Sequence, residues 1–572
     1  MKIKLYLTAC LLVLGLSCAH AVPAKKGVKR TIKLADGTSV VAELKGDEFA
    51  SYWQADDGKC YVQDIDSHTF KITDKAQVVN RGLAKRQKAN DERIKRFSKR
   101  GPKREITGAF SHFTGTKKGL IILVNFKDVK FGRTHTRAMF DNIANKKGFT
   151  NSLGFKGSVK DYFLAQSNGQ FELDFDVVGP YTLSQNMAYY GAHSKDGLQD
   201  VKPGHMVLEA CQMADKDVNY KDYDWDGDGE VDQVFVIYAG FGEADGGSED
   251  TIWPHESQLL TWVGKPYETK DGVSVNTYAC GNENTYDMLG RSRINGIGTI
   301  CHEFSHCLGY PDLYDTNYSG NFGMGSFDLM CSGSYNGESF CPPNYSAYEK
   351  WIAGWITPTV LDKPASVKGM QAQDVKYGQA FVVYNDNNKN EYYLIENRQQ
   401  NVGIWDKQLP ASGMMITHVD YDKNIWEWNN VNTIVNYSGD YAYLNNDHQR
   451  LTIFHADNEE GASTKSQAGD LYPFNGNNSL TDTSSPAATI YQGGTTMGKP
   501  ITNITQNEDG SIDFDFMGGS NDNIISGIHF IENDEMSSFG QGVYSLDGRY
   551  MGTSANGLDK GIYIVNGKKI VK

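Results

Sequence analysis

The 572-residue chain predicts an α+β catalytic unit over residues 106–360, with a small β-rich segment before it and β-rich regions after it. Three observations carry this reading. Apolar strand-like runs alternate with helical stretches between Gly119 and Tyr238, the pattern of a sheet covered by helices. An H-E-x-x-H pair, His302 to His306, then sits on a helical period. Beyond residue 361 the apolar residues fall in short runs broken by Asn, Asp, Gly and Pro clusters, which read as strands. A chain of this length is expected to hold two to four folded units.

Residues 1–21 have the three parts of a secretory leader: basic MKIK, an apolar run from Leu5 to Leu16, and the small-x-small site Ala19-His20-Ala21. That run is too short for the roughly twenty residues a membrane span needs, so export without a transmembrane segment is expected. A lipoprotein anchored at Cys18 is the rival, which Gly15-Leu16-Ser17 fits poorly. Residues 22–105 read as a propeptide. Its strand-like pieces, Thr31–Leu34 and Ser39–Leu44, flank an Asp36-Gly37 turn, and its end, Lys85–Arg104, is a polar stretch rich in trypsin-type sites, an activation linker. The net charge of −14 hides a division, because residues 22–104 carry 20 basic and 11 acidic side chains while those after them carry 34 and 59. A basic segment docked on an acidic body is what an intramolecular inhibitor needs. Without aromatic interleaving or a base-reading motif, no nucleic-acid partner is expected, although a basic nucleic-acid-binding arm is the rival reading of the linker.

In the catalytic unit, LIILVNF from Leu120 reads as a buried strand, Ser158–Ala165 as a helix, Gln170–Val178 as a strand, His205–Asp215 as a helix and Val234–Tyr238 as a strand. Asp222–Asp232, DYDWDGDGEVD, sets carboxylates at alternate positions with glycines between them. Hard Ca²⁺ takes six to eight oxygens, and Asp224, Asp226, Asp228 and Asp232 form the best register for a structural calcium loop. Phe235 stands where an EF-hand has its bidentate glutamate, so the loop is not a complete EF-hand, and a plain acidic turn is the alternative.

HEFSHCLGYPD, His302–Asp312, carries the chemistry. Ile300, Phe304, Cys307 and Leu308 recur at helical spacing and anchor one face, which leaves His302 and His306 one turn apart and able to share a zinc ion. Gly309 can end the helix in the left-handed region and Pro311 prevents its resumption, so the chain can return Asp312 as a third ligand. Asp315 is the competing candidate. Glu303 then stands beside the metal as general acid/base for a water molecule in the open fourth position. Eighteen residues after Asp312, Met330 in GMGSFDLMCSGSYNG suits a methionine turn beneath the site, and Tyr335 could offer its phenol to a developing oxyanion.

Six cysteines, Cys211, Cys280, Cys301, Cys307, Cys331 and Cys341, follow the prosegment; buried thiols or disulfides are expected, and a thiolate ligand is conceivable. His255-Glu256, and His418 with Asp420, read as hydrogen-bonded core groups. In the prosegment, Cys60, Asp56 and Asp57 are candidates to plug the metal. Residues 361–517 form a β-rich domain, and residues 524–572 a terminal β module with hairpin signals at Asp547-Gly548 and Asn566-Gly567.

HEFSHCLGYPDLYD, GSFDLMCSGSYNG, DWDGDGEVD, SVKDYFLAQSNGQ, VFVIYAGFGEADGG, IWPH, EYYLIENRQ and GMMITHVDY together resemble the immune inhibitor A family of secreted bacterial zinc metallopeptidases. The resemblance covers most of residues 106–517. It implies a metzincin-like zincin fold, zinc on His302, His306 and Asp312, Glu303 as acid/base, and synthesis as a zymogen acting on proteins or peptides. VYSLDGRYMG and LDKGIYIVNGKKIVK are similar to the C-terminal sorting tails of proteins exported by outer-membrane type IX machinery. That implies release or display at the surface of a Gram-negative bacterium. Two other classes compete: a calcium-stabilised surface adhesin with a structural zinc site, and a zinc amidase acting on glycopeptides. The intact Glu303 argues against the first, because a structural site has no use for it and closes its fourth position.

Overall fold

The computed structural model describes residues 19–20, 22–83, 85–86, 113–194, 200–287, 289–317, 320–374, 378–461, 463–519 and the short strands within 524–571. Most of the expected leader and of the activation linker lie outside the described residues. The chain divides into two compact units at Ser526/Gly527.

The centre of the first unit is a mixed sheet. From one edge its strands run β1 (Ala19–His20), β10 (His255–Gln258), β11 (Thr277–Tyr286), β9 (Val234–Phe241), β7 (Gly115–Asn125) and β8 (Phe171–Thr182). Strands β8, β7, β9 and β11 run parallel to one another, and their apolar runs suit a sheet covered on both faces. Strand β10 runs antiparallel to β11, and β1 pairs antiparallel with β10, Ala19 opposite Ser257 and His20 opposite Glu256.

Helices α1 (Arg137–Asn145), α2 (Val159–Gln166) and α4 (Gly298–Cys307) share a core with one sheet face, and α3 (Pro203–Ala214) shares one with the other. Ser158 and Asp161 form a reciprocal capping box that starts α2 where the sequence places it. Phe304 of α4 packs against Phe163, Phe175 and Trp225, with ring centroids 5.0, 5.9 and 6.3 Å apart. That apolar anchor aims the opposite side of α4 at β10.

Residues 29–73 form a five-stranded antiparallel sheet: β2 (Lys29–Lys33), β3 (Ser39–Asp47), β4 (Ala50–Ala55), β5 (Cys60–Gln63) and β6 (Phe70–Thr73). Its apolar face, with Ile32, Leu44, Trp53 and Phe70, closes over Ala244 and Trp253 of the catalytic unit. The pairing expected from the charge division exists in part: Arg30 binds the Glu249 carboxylate and stacks over Trp53 at 4.3 Å. After the catalytic unit come a five-stranded sheet including Glu391–Arg398 and Gly413–Asp420, and a four-stranded one including Ile512–Phe516. The strand Ile524–Ser526 pairs with Ala365–Met370 and so belongs to the first unit, not to the terminal module.

The second unit is a four-stranded antiparallel sheet that includes Ile562–Val565 and Lys568–Val571; the turns expected at Asp547-Gly548 and Asn566-Gly567 lie outside the described residues. No described helix is long and apolar enough to cross a membrane.

Candidate functional site

Helix α4 begins in a place only glycine can occupy: a Cβ on Gly298 would lie 1.8 Å from the Ser334 carbonyl oxygen. It ends as the sequence predicts. Gly309 takes φ 97°, its N–H donates to the His306 carbonyl at 2.8 Å, and Tyr310 N–H reaches back to Ser305 at 3.2 Å. That reversal carries Pro311 past the helix and brings Asp312 back to the two histidines.

His302 Nε2 and His306 Nε2 lie 3.1 Å apart, and Asp312 Oδ1 stands 3.3 and 3.2 Å from them. All three residues are buried. His302 Nδ1 donates to the Leu329 carbonyl and His306 Nδ1 to the Tyr310 carbonyl, each at 2.8 Å. Because a carbonyl only accepts, each imidazole carries its proton on Nδ1 and turns the Nε2 lone pair inward. Burial holds His306 below the ordinary imidazole range, which favours that neutral form. Three electron-pair donors converging on one point form a set that could hold a metal ion. Their separations match the roughly 3.3 Å expected between donors of a tetrahedral ion with bonds near 2.0–2.1 Å, so the donor set suits zinc.

Asp312 is gripped from the β-rich region: Asn429 Nδ2 donates to Oδ2 at 2.7 Å, and Asn429 Oδ1 accepts from the Asp312 N–H at 2.6 Å. The rival Asp315 is engaged elsewhere, accepting the N–H groups of Asn317 at 3.1 Å and Gly320 at 3.0 Å. Met330 is fully buried; its carbonyl accepts the Leu313 N–H at 2.7 Å, so its turn ties the Leu329 support of His302 to the loop carrying Asp312.

Glu303 sits beside this group, and its Oε1 accepts the backbone N–H of Val22 at 2.7 Å. Burial, reinforced by Asp312 and Glu256, pushes its carboxyl well above the usual range. Trp253 Nε1 donates to the Val22 carbonyl at 3.0 Å and the Tyr335 hydroxyl to the Pro23 carbonyl at 2.7 Å. Val22 and Pro23 thus lie against Glu303, Trp253 and Tyr335.

The other candidates separate. Asp224, Asp226 and Asp232 bring carboxylate oxygens within 4.8 Å of one another; Asp228 stays outside that group, its Oδ1 accepting the Glu230 N–H at 2.9 Å. All seven described cysteines are free thiols, and none joins the histidine pair as a candidate ligand. Burial pushes Cys331 up to about 11 and Cys301 well above the ordinary thiol value, which keeps both protonated. The expected prosegment plugs do not reach the site. Cys60 is buried in its own sheet, while Asp56 and Asp57 pair with Lys29 and Lys59 on the surface. Backbone reaches Glu303 in their stead. His255 is a core group, bonded to the Trp253 carbonyl and the Tyr278 hydroxyl, and His418 bonds Glu391. Asn429, Trp253 and Val22 escaped sequence reasoning. IWPH drew attention to Trp253, but no local pattern marks an asparagine 117 residues beyond Asp312.

Residues 114–355 match the family described as immune inhibitor A peptidase M6, catalytic domain. The pre-pro-metalloprotease PrtV of Vibrio cholerae serotype O1 is 29% identical over 259 residues, 39% of this chain and 28% of that protein. Immune inhibitor A of Bacillus thuringiensis subsp. alesti is 28% identical over 296 residues, 44% of this chain and 42% of that protein. The chain therefore spans less than half the length of these curated relatives.

Proposed function

We propose, from the match of residues 114–355 to the immune inhibitor A peptidase M6 catalytic domain, that the protein is an exported zinc endopeptidase made as a zymogen. The observation that carries this reading is the convergence of His302, His306 and Asp312 beside a carboxylate, Glu303, that accepts a hydrogen bond from the Val22 nitrogen, the amino terminus once the leader is removed. Zinc, when bound, supplies Lewis-acid polarisation and brings the pKa of water down to about 7. His302, His306 and Asp312 hold it, and Asn429 and the Leu329 and Tyr310 carbonyls orient them. Glu303 takes a proton from the attacking water and returns it to the leaving nitrogen, which lies where Val22 N lies now. Tyr335 donates its hydroxyl to a peptide carbonyl, as it does to Pro23, and β10 offers its edge to an extended substrate.

Latency follows from the same contacts. While Val22–Lys25 fill the cleft, Glu303 is bonded to the chain's own backbone and a substrate peptide has no room. Residues 22–105 act as the intramolecular inhibitor, with cleavage in the basic linker as the first step of activation. Calcium on Asp224, Asp226 and Asp232 belongs to this reading as a structural ion. So does export through the type IX machinery of a Gram-negative bacterium, supported by the tail sequence alone.

The test is hydrolysis of a quenched fluorescent protein substrate by trypsin-nicked, inhibitor-quenched protein separated from its cleaved prosegment, comparing wild type with Glu303→Gln and assaying zinc in both. Wild type should be active, and the variant should lose about 10²–10⁴-fold in rate with zinc retained. Zinc in both with no hydrolysis in either would overturn the peptidase reading.

A further inference from the structure

Three residues after Val22, Lys25 enters a pocket that the mechanism does not use. The Lys25 N–H donates to the Ala244 carbonyl at 2.9 Å, which fixes the backbone as the chain leaves Glu303. Its ammonium donates to Thr285 Oγ1 and to the Tyr286 carbonyl, both at 3.0 Å, and stands 3.9 Å from Asp245 Oδ1. The Asp245 side chain is 1% exposed, and the Lys25 side chain 17%. Asp245 is held firmly: Thr285 Oγ1 donates to its Oδ1 at 3.0 Å and Asn282 Nδ2 to its Oδ2 at 2.8 Å. A wall of stacked Phe241 and Tyr286 rings, 4.2 Å apart, stands beside it. The pocket therefore presents a buried, preorganised carboxylate, a hydroxyl and a carbonyl, a set that matches an ammonium or guanidinium and offers an apolar or acidic side chain nothing.

We propose that this pocket is a substrate subsite selecting lysine or arginine at the third residue C-terminal to the one whose amide nitrogen meets Glu303, and that Lys25 occupies it as a pseudosubstrate. The inference rests on the peptidase reading above. It follows from direction as well as chemistry. The Val22 nitrogen, which becomes the amino terminus when the leader is removed, meets the proton-transfer carboxylate, and Val22 and Pro23 each give a carbonyl to a cleft side chain. A substrate laid along the same rail delivers its side chain three residues on to Asp245. Removal of the prosegment empties the subsite and leaves Asp245 buried beside the hydrogen-bond donors Thr285, Asn282 and Asn295 but without the Lys25 ammonium, so a cationic side chain recovers an interaction that an uncharged one of equal length cannot.

The experiment uses activated full-length enzyme and quenched peptides identical except for Lys, norleucine or Glu at that position, with cleavage sites mapped by mass spectrometry. Expected are kcat/KM at least about fivefold higher for Lys than for norleucine, lowest for Glu, and a Lys-to-norleucine ratio that falls towards one in Asp245→Asn and in Thr285→Val. A wild-type ratio of one, or an unchanged ratio in both variants, overturns the subsite. If both variants fail to fold, the wild-type series decides by itself. Failure to cleave any peptide or casein would overturn the peptidase reading, whereas cleavage of all three peptides at equal rates would overturn the subsite alone.

Discussion

Asn429 illustrates how a residue outside the catalytic unit sets the chemistry within it. Its amide clasps Asp312 through both a side-chain and a backbone hydrogen bond, so Asn429→Ala should release the third ligand and weaken zinc affinity about 10–100-fold, read by competition with a chelator. Two buried histidines set the pH range of stability. Burial pulls His193 down, but the carboxylates of Glu243, Asp200 and Glu249 pull it further up, to about 9. Its unfolded value is about 6.5, so this contribution is full below about pH 6.5 and is lost as pH rises towards 9. His255 is the reverse: burial pushes it down to about 4, and its contribution is full above about pH 6.5 and is lost as pH falls towards 4. Melting temperature should therefore decline on both sides of about pH 6.5, and His193→Gln should flatten the alkaline limb, at most about 3 kcal/mol in depth.

At the scale of the element, α4 works because its two ends are fixed by glycine. Gly309 at φ 97° makes the reversal that returns Asp312, and an alanine there should cost about 1–2 kcal/mol, read as a lower urea midpoint. Its effect on zinc retention should exceed what that loss of stability explains, because the turn positions a ligand. Strand β10 is the other decisive element. It lies between β11 and the strand Ala19–His20, and its free edge, once vacated, is the only rail beside Glu303 that the described sheet offers an extended peptide.

Across the whole molecule, the contacts of residues 22–73 are mostly apolar packing around Trp53 and Trp253, with cations at Asp245 and Glu249. Cutting the linker does not by itself remove them. Trypsin-nicked protein should co-elute with its N-terminal fragment, residue 22 to the cut in the linker, on size exclusion and stay nearly inactive at first, gaining activity as the fragment dissociates or is digested. Immediate full activity on nicking would show that the covalent tether, not the docked sheet, holds latency. Residues 527–572 form a separate compact unit, so truncation after Ser526 should leave the main melting transition within about 1 °C of wild type by calorimetry.

Several features were legible in the chain itself because each depends on spacing along a single element. The one-turn separation of His302 and His306, the stop at Gly309 and Pro311, the helix opening at Ser158 and the strands after residue 361 are local consequences of helix and strand periods. The resemblance to a peptidase family rested on the same short motifs. What the tertiary structure decided were the meetings of distant residues. It gathered Asp312, clasped by Asn429, with the two histidines, while Asp315 accepts the N–H groups of its own loop. It left Asp228 outside the acidic group and kept the cysteines as thiols. It also set Val22 against Glu303 and Lys25 against Asp245, across 281 and 220 residues of chain, where no sequence period exists to announce a contact and only the packing of one sheet over another creates it.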